Sequence, residues 1–181
     1  MTPAQITQLK TYIQANTTYM AQPHNANGAD FIAQDLSKVT ADFYVWNNAM
    51  PVQTIFDSIT WANFTPTDAP DGTATWTNRS LACQGKQFNL QTILTGRETI
   101  NASKTNVRAG LQDALSSIPS GVGGAVLSGG WATVRDAMKK LATGLEKALS
   151  TGTGTLASPA VTSTDSQTIG YWEVQSVMEW W

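Results

Sequence analysis

Apolar residues recur at spacings of three and four along most of this chain, the pattern of helices that bury one face. Thr2-Pro3-Ala4-Gln5 opens the first helix, with a cap residue, proline at the first helical position and glutamine three after the cap. Ile6, Leu9 and Ile13 mark its face, and it is predicted to stop near Asn16. Asn27-Gly28 reads as a turn. Residues 29–37 read as a short helix that buries Phe31, Ile32 and Leu36. The segment ADFYVW at 41–46 is rich in aromatic and β-branched residues, which suits a short strand or an extended anchor. Pro51 opens another helix with Val52, Ile55, Phe56 and Ile59 inward.

Residues 63–77 are turn-rich, with Thr65-Pro66-Thr67-Asp68-Ala69-Pro70-Asp71-Gly72 as consecutive turns. Residues 78–95 read as helix, weakened by Gly85. Ser103 is a candidate cap for a helix carrying Val107, Leu111, Leu115 and Ile118, and Pro119 ends it. SGVGGAVLSGG at 120–130 holds five glycines and reads as a flexible loop. The strongest helical pattern lies at 132–150. There Val134, Met138, Leu141, Leu145 and Leu149 form a stripe, while Lys139, Lys140 and Lys147 occupy other faces. Gly152 stops it. Residues 152–168 are Thr, Ser and Gly with Pro159, an extended arm with room for a short strand at 160–162. A final helix places Tyr171, Val174, Met178 and Trp181 at helical spacing.

The expected class is therefore mainly α: a compact helical body over 1–151, then an extended Gly/Ser/Thr-rich arm and an aromatic C-terminal segment over 152–181. Three of the seven tryptophans fall in the last ten positions. A chain end usually frays and is usually polar. Exposing this much aromatic surface is costly, since a buried large side chain is worth roughly 1.5–3 kcal/mol. Two readings stand. The segment folds back on its own core, or it docks on another subunit through Tyr171, Trp172, Val174, Met178, Trp180 and Trp181.

Charge is sparse at 13% and the net charge is −2. Residues 79–147 carry nine basic and four acidic residues, whereas both flanks are acidic. This basic middle is either ordinary surface scatter or a face toward DNA or an acidic neighbour, with Arg108, Arg135, Lys139, Lys140 and Lys147 as candidate contacts. Catalytic chemistry finds little support. His24 is the only histidine and sits in a Gln-Pro-His-Asn loop, with no nucleophile elbow to serve. One cysteine, Cys83, permits neither an internal disulfide nor a clustered zinc site. Gly121-Val122-Gly123-Gly124 lacks the Lys-Ser/Thr of a phosphate loop. Asp68 and Asp71 have turn-forming roles, and no EF-hand-type calcium loop follows them. The expectation is a protein that is not an enzyme and carries neither cofactor nor metal. No apolar run approaches the ~20 residues of a membrane span, and MTPAQITQLK does not resemble a signal peptide. A protein made and held in the cytoplasm until use is expected, with no membrane partner.

Several segments together resemble a family of small virion-associated proteins encoded by tailed bacteriophages and prophages. They are Met1-Thr2-Pro3-Ala4-Gln5-Ile6, Phe43-Tyr44-Val45-Trp46, Ser103-Lys104-Thr105-Asn106-Val107-Arg108-Ala109-Gly110-Leu111, Lys140-Leu141-Ala142-Thr143, Glu146-Lys147 and Thr151-Gly152-Thr153-Gly154-Thr155. The segments at 103–111 and 140–155 are the specific ones. The chain departs from the family pattern at Glu179-Trp180-Trp181 and at Gly144, where the pattern tends to a basic residue. The resemblance implies a structural part of the particle, foremost a head-to-tail adaptor ring subunit joining the portal vertex to the tail. Its partners would then be further copies of itself in a ring (a dodecamer is the expected count), the portal protein, tail proteins and nonspecific DNA in the lumen. Its location would be the head–tail junction of the virion, after assembly in the host cytoplasm. A capsid decoration or cement protein is one alternative. A small DNA-binding or assembly factor is another.

Overall fold

The computed structural model describes residues 1–64, 81–119 and 126–180. The predicted turns at 65–72 with Asp68 and Asp71, the glycine run at 121–124 and Trp181 lie outside the described residues. In chain order, α1 (Pro3–Ala15), α2 (Thr17–Met20) and α3 (Ala26–Leu36) lead into β1 (Val39–Trp46). Next come β2 (Met50–Pro51), α4 (Val52–Ser58), a 3-10 turn (Trp61–Phe64), α5 (Leu81–Leu94) and β3 (Thr99–Ile100). They are followed by α6 (Thr105–Leu115), β4 (Ile118–Pro119), β5 (Val126–Leu127) and α7 (Trp131–Ala137). The chain then forms β6 (Lys139–Thr143), α8 (Gly144–Ala148), β7 (Ser150–Thr151), β8 (Val161–Thr162) and α9 (Tyr171–Met178). Contacts divide it into two units, residues 1–46 with 139–181, and residues 47–138. The segment 152–181, expected as an arm outside the body, thus groups with the first 46 residues.

The mainly α expectation is corrected. The described residues are 53% helical and 17% strand, a mixed α/β chain with small two-stranded sheets. The largest correction concerns 132–150, expected as one helix. Three elements occupy it: α7, β6 and α8. The reason is local and tertiary at once. The aromatic strand β1 needs a partner for its backbone, and β6 supplies it, antiparallel, with Tyr44 opposite Leu141 and Trp46 opposite Lys139. Thr143 and Glu146 then start a new helix with a capping box. Glu146 Oε2 accepts from the Thr143 N–H at 3.0 Å, and Thr143 Oγ1 accepts from the Glu146 N–H at 3.2 Å. The apolar stripe is nonetheless used, since Val134, Met138, Leu145 and Leu149 are all buried.

In the first unit, α1 begins as predicted. Thr2 Oγ1 accepts from the Gln5 N–H at 3.3 Å, and Gln5 Oε1 accepts from the Thr2 N–H at 2.7 Å. Leu9 and Ile13 are buried, but Ile6 lies at the edge of the stripe and is 38% exposed. Asn27-Gly28 is not a turn. It lies inside α3, whose cap is Asn25, with Oδ1 accepting from the N–H groups of Asn27 and Gly28. Ile32 and Leu36 are buried as expected, while Phe31 falls on the flank and is exposed. Gly144 begins α8 directly against the end of α3. A Cβ there would stand 2.9 Å from Leu36 Cα, so the packing demands glycine. The Thr/Gly segment after α8 also lies on this unit. Gly154 takes φ +68 over the Phe43 ring, and its carbonyl accepts from the Tyr44 N–H at 2.7 Å. Val45 bridges to Ala160 in parallel, and β7 pairs with β8.

In the second unit, Val52, Ile55 and Ile59 are buried, and Phe56 is exposed against Trp61. Ser103 does not cap α6. Its hydroxyl bonds the Asn101 side chain instead, and Lys104 holds the cap position without a side-chain bond. Leu111, Leu115 and Ile118 are buried, although Ile118 belongs to β4, which pairs with β5. The helices α5 and α6 approach closely, with a Cβ on Gly110 at 3.1 Å from Ile93 Cδ1.

Candidate functional site

The C-terminal aromatic segment is mostly core. α9 follows Gly170, whose N–H donates to Glu173 Oε2 at 2.8 Å and holds the first turn. Val174, Val177, Met178 and Trp180 are buried in one cluster with Leu9, Ile13, Ile32, Leu36, Leu145 and Leu149. The fold-back reading therefore holds for Val174, Met178 and Trp180, which are not displayed as an anchor. His24 stacks on Trp180 with ring centroids 4.5 Å apart and planes 12° apart, so the lone histidine closes over the core. Lys10 Nζ meets Glu179 Oε1 at 3.3 Å and ties the turn after α9 to α1. Tyr171 is partly buried against the same cluster, and its ring contacts that of Trp172.

Trp172 differs. It is 62% exposed on the outer face of α9. With Met1, Ile6, Glu173, Ser176 and Val177 it lines a shallow pocket of 250 Å³. Met1 and Ile6 are themselves exposed, which gives the first unit an apolar surface shared by α1 and α9. Spacing alone placed Ile6 inward. Its position at the rim follows from where α9 lands on α1, which no local pattern encodes.

Each basic candidate has neighbours of its own within its unit. Arg108 Nη1 donates to the carbonyls of Ala102 (2.6 Å) and Ser103 (2.9 Å), and Nη2 donates to Thr105 Oγ1 (3.2 Å). Burial draws its pKa down from the usual arginine range. It pins the entry to α6. Arg135 pairs with its neighbour Asp136 at 3.1 Å. Lys140 Nζ meets Glu146 Oε1 at 2.6 Å, and Glu146 is fully buried. That lysine neutralises the capping carboxylate of α8. Lys147 Nζ stands 5.3 Å above the Phe43 ring. Lys139 lies on β6 opposite Trp46 and has interactions of its own. Arg108 and Arg135 belong to the second unit, and the three lysines to the first.

A polar group joins α2 to α3. The Tyr19 hydroxyl donates to Asp35 Oδ2 at 2.7 Å, and Lys38 Nζ meets Oδ1 at 3.2 Å. The Tyr19 hydrogen bond and Lys38 hold the Asp35 carboxyl below its ordinary pKa. Burial and Asp35 push Tyr19 above its own. Among the described residues, no group of three His, Cys, Asp or Glu is placed to hold a metal ion, and no helix is long and apolar enough to cross a membrane. No family model, no curated protein and no solved structure matches the chain.

Proposed function

We propose that the protein is a structural component of a tailed-phage particle, acting as a head-to-tail adaptor ring subunit between the portal vertex and the tail. The resemblance over 103–111 and 140–155 supports this reading from the sequence. The observation that carries it is Trp172, a large aromatic left in water on a helix whose opposite side is locked into the core. The indole is the residue type that anchors protein interfaces. Met1 and Ile6 beside it widen the apolar surface toward that of a contact patch. In this reading α9 contributes to the body with one face and to assembly with the other. Its partners are further copies of the chain, the portal protein or tail proteins, and its place is the head–tail junction.

DNA in the lumen does not enter this support. Arg108, Arg135 and Lys140 each engage intramolecular acceptors, so their charge has a structural use without DNA. Counting the protein in purified particles tests the proposal. An adaptor ring predicts about a dozen copies, the closed ring of one chain type. Far more copies would replace it with the cement reading, and absence from the particle with the assembly-factor reading.

A further inference from the structure

The second unit holds a groove that the adaptor reading does not use. Its volume is 580 Å³, and it lies between α5, α6 and the turn that joins α5 to β3. Ile100 forms a buried floor, with half-buried Ile93 and Val107 beside it. Arg97, Thr99 and Asn106 stand exposed on the rim. The lining contains one formal charge, that of Arg97, and no acidic residue. The side chains of Arg97 and Asn106 make no hydrogen bond or ion pair with the described residues, in contrast to Arg108, two residues after Asn106 on α6. The size falls within the range of ligand sites, and the groove combines a guanidinium that is unpaired among the described residues with an apolar floor.

We propose that this groove captures the free C-terminus of a partner polypeptide that ends in an apolar residue. A guanidinium presents a fork of donors that matches a carboxylate. A terminal residue carries its carboxylate and its side chain on one Cα, so both reach a site where charge and apolar floor are adjacent. Asn106 offers an acceptor and two donors to the peptide backbone. The open rim lets the rest of the partner chain leave, which a small enclosed ligand does not require. Capture of a chain terminus is an established mode of recognition, and here the Arg97 guanidinium is the group that would receive the carboxylate. The groove and the Trp172 surface are separate features, so either can fail alone.

Amide NMR titration of the full chain with N-acetyl-leucine, N-acetyl-leucinamide and acetate tests it. The expected result is saturable shifts at 92–110 with N-acetyl-leucine, and binding weaker by roughly five- to tenfold for both the amide and acetate. Arg97→Gln should reduce the acid to the level of the amide. This substitution removes an exposed side chain that has no partner among the described residues, so the fold is expected to be retained. Equal binding of acid and amide, equal binding of acetate, shifts elsewhere, or no effect of Arg97→Gln would each overturn the proposal.

Discussion

Asp35 shows how single side chains in this protein serve the fold before they serve a surface. Its carboxylate accepts from Tyr19 and meets Lys38, and these contacts lower its pKa in the folded state. A folded pKa below the unfolded one means that the contribution to stability is present above the unfolded value, about pH 4. It is lost as pH falls through the lower folded value. Asp35→Asn is therefore expected to reduce Tm at pH 7 and to converge with the parent toward pH 2. A gap that stays constant across that range would mean the carboxylate charge is not involved. Little of this was legible in the sequence. Lys38 reaches Asp35 from three residues on, a local contact, but Tyr19 meets Asp35 from 16 residues away, and neither composition nor spacing reports that pairing. Lys140 makes the same point. It reads as a solvated charge, yet it neutralises a fully buried glutamate.

The elements divide by how local their causes are. The start of α1 was legible because Thr2, Pro3 and Gln5 act within one turn. The aromatic and β-branched residues at 41–46 suited a short strand or an extended anchor; the structure makes them part of β1, and its partner was not legible. Lys139–Thr143 has a helical apolar stripe and became β6 because β1 offered an unpaired edge. The capping pair Thr143 and Glu146 acts within one turn, but it lies inside the longer apolar period of 132–150 and went unread there. This split makes a prediction that differs in sign between the two structures. If 132–150 were one helix, Thr143→Ala would raise helix propensity and stabilise it slightly. With Thr143 capping α8, the same change is expected to cost about 1–2 kcal/mol. Chemical denaturation measures it, and a neutral or stabilising result would restore the continuous helix.

At the scale of the whole molecule, the C-terminal segment has two faces with different duties. One face is part of the core of the first unit, where Trp180 is buried beneath His24. The other presents Trp172 beside Met1 and Ile6. The aromatic richness of the tail was plain in the sequence, but which indole faces inward depends on how α9 lies against α1 and α3. Trp180→Ala is expected to destabilise the protein by about 3–5 kcal/mol. Trp172→Ser is expected to leave Tm nearly unchanged, because the side chain it removes is mostly in water. The decisive measurement is the copy number of the Trp172→Ser protein in purified particles, relative to the parent. The account predicts a folded protein that is lost from the particles, and incorporation at the parent level would contradict it.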